Sequence, residues 1–188
     1  MVQTPELKSG IMSQTSPISR EAVDHGYLRY RQRKGHRYIE TSLVSYPTAR
    51  PSRDLLVAAH QYLTAAWWDH QRPRYELFTS QVVLAEAGAG DPEAAQRRLT
   101  AREPLPLLDV TDAVIALAAT LITGQALPVQ AAQDALHLAI ACVHGMEYLL
   151  TWNCTHLADA RLRSRIEQVC REAGYVSPII CTPEELEG

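Results

Sequence analysis

The sequence lacks several features that would assign it to common functional classes. No apolar run approaches the roughly 18–20 residues that a membrane-spanning helix needs. The first 20 residues have no apolar centre of the kind found in export signals, so we expect no signal peptide. The four cysteines form no CxxC pair and have no His/Cys cluster beside them, which argues against zinc ligands. These absences predict a cytoplasmic protein with reduced thiols and no membrane association.

Other absences concern catalytic motifs and basic residues. The chain has no GxSxG nucleophile elbow and no glycine-rich phosphate loop, which argues against small-molecule hydrolases that depend on these motifs. No internal repeat is present, so a solenoid is excluded. No lysine occurs after Lys34, and arginine alone supplies the fixed positive charge of the remaining chain.

Length and composition are those of an ordinary globular domain. The chain has 188 residues, of which 46% are hydrophobic and 21% are charged. Residues 1–37 contain seven Lys/Arg and three Asp/Glu, which leaves 11 basic and 18 acidic residues elsewhere. We therefore predict a flexible, basic N-terminal extension over residues 1–35 and one folded domain over residues 36–188. The basic run is expected either to bind RNA without sequence preference or to serve as a solubilising tail.

Short apolar segments alternate with longer segments of helical periodicity. Strands are predicted at residues 38–39, 75–80, 105–110, 147–152 and 178–180. Helices are predicted at residues 52–70, 81–87, 111–122, 129–143 and 161–173, with another starting at Pro92. Residues 40–42 look like a polar turn, and Ser52 looks like a helix N-cap. This alternation indicates βαβ units, and so an α/β fold with a central parallel sheet.

Four polar residues occur where apolar or neutral residues would be cheaper to bury. Glu40 follows the first strand, Glu86 and Asp134 lie in otherwise apolar helices, and Asn153 follows the fourth strand. A buried carboxylate needs a partner, a proton or a metal ion, and basic residues are scarce nearby. Ligands of parallel sheets bind beyond the carboxyl ends of the strands. Together the four residues therefore predict an oxygen-ligand site for Mg²⁺ or Mn²⁺.

Each position also has a structural explanation when taken alone. Glu40 fits a strand-end turn, and Glu86 fits a solvated helix residue before a glycine-rich turn. Asp134 fits a helix start, where the macrodipole favours negative charge, and Asn153 fits a loop. His137 could orient a ligand or be a core histidine with one hydrogen bond, and His156 could belong to the site or pack its loop.

At these segments the sequence resembles the PIN-domain family, particularly the VapC-like toxins of type II toxin–antitoxin modules. The matching segments are YIETSLVSY, SQVVLAEAGAGDPEAAQRRL, DALHLAIACVHGMEYLLTWNCTHLADA and IICTPEEL, which together span about residues 38–186. The most specific portion is DALHLAIA followed by YLLTWNCTHL. The resemblance implies a three-layer α/β/α fold and a Mg²⁺/Mn²⁺-dependent nuclease that cuts single-stranded RNA.

The resemblance also implies residue roles and partners. It places Glu40, Glu86, Asp134 and Asn153 in the catalytic and metal-binding positions. The residues implied to line the site are Thr41, Ser42, Thr151 and His137. A cognate antitoxin protein and a homodimer are implied as partners. Two positions depart from the family pattern, since Glu40 replaces the usual Asp and Asn153 replaces a common Asp. A non-catalytic RNA- or protein-binding module on the same fold is the alternative that these departures favour.

Overall fold

The computed structural model describes residues 35–100 and 105–186. The predicted extension, residues 1–35, lies outside the described part except for Gly35. The described residues form five strands and seven α-helices. In chain order these are β1 (His36–Ile39), α1 (Thr41–Ser45), α2 (Leu55–His70), β2 (Glu76–Ser80), α3 (Gln81–Ala87), α4 (Pro92–Thr100), β3 (Leu107–Leu108), α5 (Asp112–Thr123), α6 (Ala132–Val143), β4 (Tyr148–Leu150), α7 (Ala160–Glu172) and β5 (Ile179–Cys181).

The five strands form one parallel sheet in the order β3-β2-β1-β4-β5. Tyr38 of β1 lies opposite Phe78 of β2 and Leu149 of β4. The prediction of an α/β fold with a central parallel sheet is therefore confirmed. The strand order reverses between β1 and β4, because the chain leaves β1 toward β2 and later returns to β1's other side. Such a switch point opens a crevice at the carboxyl ends of the two strands.

The sheet separates two apolar cores. Tyr38 and Leu149, which lie opposite each other, belong to a core built with α5, α6 and α7. The next register pair, Ile39 and Leu150, belongs to a second core with α1 and α2. Successive strand residues point to opposite faces, so this division follows from the strand period of two. Both faces are covered, which explains why the sheet contributes apolar residues to each core.

Two local predictions were wrong in their detail. Residues 40–42 are not a polar turn: Glu40 is the N-cap of α1, and Thr41 and Ser42 begin that helix. The N-cap of α2 is Asp54 rather than Ser52, because the Asp54 carboxylate accepts from the amides of both Leu56 and Val57. Both errors arise from short polar segments in which several residues are suitable caps.

The structure bears on two of the sequence-based predictions, the absence of a membrane-spanning helix and the presence of reduced thiols. None of the helices in this part of the chain is long and apolar enough to span a membrane. All four cysteines are free thiols. Cys142 of α6 and Cys170 of α7 are buried neighbours, with 3.6 Å between their Sγ atoms.

Candidate functional site

The four predicted site residues surround the carboxyl ends of β1 and β4. Glu40 directly follows β1, and Asn153 lies three residues beyond the end of β4. Glu86 is on α3, which follows the neighbouring strand β2, and Asp134 is in the first turn of α6. These residues therefore lie around the point where the strand order reverses, which is where ligands of such sheets bind.

Glu40 is buried, and its carboxylate is held by the start of α1. Its Oε2 accepts from the amide of Ser42 at 3.0 Å, while its Oε1 accepts from the Ser42 hydroxyl. The Ser42 hydroxyl in turn accepts from the backbone N–H of Trp152 at 3.0 Å. Glu40 thus caps a helix and, through Ser42, joins the segment that leaves β1 to the segment that leaves β4.

The first of two polar arms, the inner arm, consists of Tyr38, Ser80, Glu86 and His137. Glu86 Oε2 accepts from the Thr41 hydroxyl and lies 3.1 Å from His137 Nε2. Burial by itself raises the pKa of the Glu86 carboxyl, but the hydrogen bonds from His137 and Thr41, together with electrostatic attraction to His137, outweigh burial and hold that pKa below its usual value. Glu86 is therefore ionised at neutral pH.

A directional chain of hydrogen bonds runs through the inner arm. An ionised carboxylate only accepts, so His137 must carry a proton on Nε2. In the neutral ring, Nδ1 is then an acceptor and receives the Tyr38 hydroxyl, 2.8 Å away. Burial raises the pKa of the Tyr38 phenol well above its usual value, so the phenol keeps its proton. Ser80 Oγ lies 2.8 Å from the Tyr38 oxygen, and with the tyrosine proton on the His137 side Ser80 is the donor of that pair.

The second arm, the outer arm, consists of Asp134, Asn153 and His156. Asp134 Oδ1 accepts from Asn153 Nδ2, and Asp134 Oδ2 lies 2.8 Å from His156 Nδ1. The Asn153 oxygen accepts from the backbone N–H of His156 at 3.1 Å. These contacts use both ends of the Asn153 amide and fix its orientation. In this arrangement the Asn153 side-chain N–H₂ group orients Asp134, and the Asn153 side-chain oxygen is occupied by the backbone N–H of His156.

The two arms are joined into a closed network, here called the carboxylate ring. It consists of the inner arm, the outer arm, and Glu40, Thr41, Ser42 and Trp152, which connect the two arms. Asp134 and His137 lie one turn apart on α6, which connects the outer arm to the inner arm. Thr41 joins Glu86 to the β1 exit, and Ser42 joins that exit to Trp152, the residue before Asn153. The structure therefore brings all four predicted positions into one continuous network. The hydrogen bonds of this network join segments that are far apart in the chain, so local periodicity could not predict them.

The predicted lining residues have distinct positions in this network. Thr41 and Ser42 each donate to a carboxylate, and His137 makes two hydrogen bonds where the core-histidine alternative required one. Thr151 is fully buried, and its hydroxyl accepts from the backbone N–H of Asn153 at 2.8 Å, which stabilises the loop after β4. Sequence reasoning missed Tyr38, although a buried tyrosine hydroxyl needs a partner and could have been flagged on that ground.

The donor chemistry of the carboxylate ring suits a hard divalent cation. Hydroxyl, amide and imidazole groups, rather than lysine or arginine, are the side-chain partners of Glu40, Glu86 and Asp134 in the described residues. Each carboxylate oxygen has two acceptor positions, so these hydrogen bonds leave capacity for a ligand. However, no group of three or more His, Cys, Asp or Glu side chains in residues 35–100 and 105–186 is arranged to hold a metal ion. The donor set fits Mg²⁺ or Mn²⁺, while the predicted coordination itself stays a prediction.

Comparison with known proteins adds no family assignment. No protein-family model matches the chain, and neither the curated proteins nor the solved structures contain a significant match. The PIN resemblance therefore rests on the quoted motifs and the α/β fold alone.

Proposed function

We propose that this protein is a Mg²⁺- or Mn²⁺-dependent endoribonuclease that hydrolyses RNA phosphodiester bonds. The observation that carries the proposal is the carboxylate ring, in which hydrogen bonds link Glu40, Glu86 and Asp134 around the β1/β4 switch point without a lysine or arginine partner among the described residues. The motif resemblance to the PIN-domain family supports the same chemistry. Helices against both faces of the sheet agree with the three-layer α/β/α arrangement of that family.

The residues of the ring have separate tasks in the proposed reaction. Glu40, Glu86 and Asp134 would hold the cation, with Asn153 at the fourth position of the family pattern. Such an ion, when bound, supplies positive charge and Lewis acidity, which lower the pKa of water and offset the charge of a phosphodiester. Thr41 and Ser42 hold two carboxylates in place, and Asn153 with His156 orients the two oxygens of Asp134.

The proposed biological role is that of a toxin in a type II toxin–antitoxin module. The partners would be an RNA substrate, a cognate antitoxin protein and a second copy of the chain in a homodimer. The motif resemblance supports each of these partners. A cytoplasmic location agrees with RNA as the substrate.

The first prediction tests the cleavage reaction directly. Asp134→Ala should lower Mg²⁺-dependent cleavage of a synthetic single-stranded RNA by at least about 100-fold, because metal-assisted charge stabilisation contributes several kcal/mol. The matched control is Asp112→Ala, which removes an exposed aspartate from the first turn of α5 and should leave cleavage unchanged. Absence of cleavage by the wild-type protein with Mg²⁺ or Mn²⁺, or full activity of Asp134→Ala, would refute the proposal.

One observation favours a second candidate, a non-catalytic RNA- or protein-binding module. All three carboxylates already accept hydrogen bonds from the protein, and no preformed metal cluster is present in the described residues. A binding module should retain RNA equally with Mg²⁺ and with EDTA. The nuclease should show cleavage that EDTA abolishes, so one titration separates the two functions.

A further inference from the structure

The inner arm combines a buried histidine, a buried tyrosine and a carboxylate in a single line of hydrogen bonds. Tyr38 and His137 are 99 positions apart in the chain, yet the Tyr38 hydroxyl lies 2.8 Å from His137 Nδ1. The ring of Tyr38 is fully buried, and His137 is almost so. Neither side chain is accessible enough to contact RNA, so any influence on the site must act through Glu86.

The Glu86 end of this line gives the order of donors, and the Ser80 end is compatible with that order. At one end, the Ser80 hydroxyl already accepts from the backbone N–H of Val83 at 3.4 Å as the N-cap of α3. Its own proton is then free to go to Tyr38, which lies 2.8 Å away. At the other end, the Glu86 carboxylate can only accept. With a neutral His137 ring, the histidine proton then faces Glu86 and the tyrosine proton faces Nδ1.

The line also selects one oxygen of Glu86. Both His137 Nε2 and Thr41 Oγ1 contact Oε2. Within residues 35–100 and 105–186, no group donates a hydrogen bond to Oε1. The side chain of Glu86 is 20% exposed, whereas that of His137 is 3% exposed. Glu86 thus has one oxygen anchored to the protein and one oxygen open.

We infer that Tyr38 and His137 are positioning residues that hold Glu86 by its Oε2. Of the two Glu86 oxygens, this leaves only Oε1 to bind a divalent cation. Tyr38 keeps His137 in the tautomer with the proton on Nε2, and that proton holds Glu86. Groups that orient a ligand in this way commonly change metal affinity by 10–100-fold when they are removed. The inference rests on the proposed function only in assigning the open oxygen to a metal.

The first experiment reads the tautomer in the metal-free protein. Long-range ¹H–¹⁵N NMR spectra of the ¹⁵N-labelled full chain distinguish a ring protonated on Nε2 from one protonated on Nδ1 or on both nitrogens. The His137 signals are assigned by their loss in His137→Gln. We expect the neutral Nε2–H form in the wild type and a changed Nδ1 shift in Tyr38→Phe, which keeps the ring and removes the donor. An Nδ1–H form, or a doubly protonated ring at neutral pH, would overturn the inference.

The second experiment measures Mn²⁺ binding by calorimetry. His137→Leu should bind Mn²⁺ about 10–100-fold more weakly than the wild type, and Tyr38→Phe should show a smaller loss of about threefold or more. His137→Gln keeps an N–H donor near Glu86 and should recover much of the affinity. The matched control is His144→Leu, which removes a histidine at the end of the same helix whose partner is the Asp109 carbonyl. If His137→Leu fails to fold, Tyr38→Phe and His137→Gln still carry the test.

The outcomes separate this inference from the proposed nuclease. The expected tautomer together with the expected loss of Mn²⁺ affinity supports the inference even if no RNA is cut. An Nδ1–H tautomer in a protein that cuts RNA would overturn the inference and leave the nuclease standing. Equal Mn²⁺ affinities of the wild type and all three inner-arm variants would also overturn it.

Discussion

The inner and outer arms of the carboxylate ring contain the same pair of groups, a histidine and a carboxylate, in different surroundings. In the inner arm the His137 and Glu86 side chains are 3% and 20% exposed, and both ring nitrogens have partners. In the outer arm the His156 and Asp134 side chains are 27% and 17% exposed. Among the described residues, His156 makes a side-chain hydrogen bond through Nδ1 only, to Asp134. The two carboxylates are therefore similarly exposed, and the arms differ in their histidines, of which His137 is buried and His156 is partly open to water.

The physical reason for the difference is the cost of leaving a buried polar group without a partner. Around Tyr38 and His137 of the inner arm, water cannot replace a lost hydrogen bond, so each removal costs the desolvation of the remaining group. In the outer arm, water can reach the vacated position, and the net contribution of each hydrogen bond is smaller. We therefore expect the inner arm to dominate stability and the outer arm to respond mainly to charge and ligands.

The largest expected effect compares the two histidines. His137→Ala should lower the free energy of unfolding by about 2–4 kcal/mol, because it leaves a cavity and removes the partners of Tyr38 and Glu86. His156→Ala should cost less than about 1 kcal/mol, because its position is partly open to water. Urea denaturation of both variants measures the two values. Equal losses would show that the arms do not differ in the way their burial predicts.

A second prediction concerns charge in the outer arm. Asn153→Asp removes the donor to Asp134 and places a second carboxylate beside it, so the metal-free protein should lose about 1–2 kcal/mol at neutral pH. Mn²⁺ should then raise the melting temperature of Asn153→Asp more than that of the wild type, because the ion offsets the added charge. Thermal unfolding with and without Mn²⁺ measures this. A variant that Mn²⁺ stabilises no more than the wild type would contradict a cation site at the outer arm.

The smallest expected effect is a pH dependence from the inner arm. Because the pKa of Glu86 is lower in the folded protein than its ordinary value, ionised Glu86 stabilises the fold above the ordinary carboxyl pKa. That contribution is lost as the pH falls through the folded-state pKa. The stability difference between the wild type and Glu86→Gln should therefore be largest at neutral pH and shrink on acidification. Urea unfolding at several pH values tests this, and a constant difference would contradict the assigned protonation of Glu86.

Several features of the site could be predicted from the sequence because they depend on local contrast. Glu86 and Asp134 stand out as charged residues in apolar helices, and Glu40 and Asn153 stand out after buried strands. The parallel sheet followed from the alternation of strands and helices, and it is confirmed. The starts of α1 and α2 were less predictable, because neighbouring Glu, Ser, Thr and Asp residues all suit an N-cap.

The partners of these residues could not be predicted in the same way. Tyr38 and Ser80 have the appearance of ordinary strand residues, and a tyrosine in a strand is expected to fill the core. Their hydroxyls meet across 42 positions of sequence, and Tyr38 meets His137 across 99. Only the sheet register and the placement of α6 against it decide these contacts.

The sequence by itself determined that this protein is a parallel α/β domain with isolated acidic residues in apolar surroundings, since periodicity and buried charge are local properties. Only the tertiary structure decided that both oxygens of Glu40 and of Asp134 accept hydrogen bonds, whereas Glu86 is held by Oε2 alone. It also decided that Asn153 turns its amide toward Asp134 and that His137 faces Glu86. These choices depend on hydrogen-bond geometry between distant segments, which sheet topology and helix packing set.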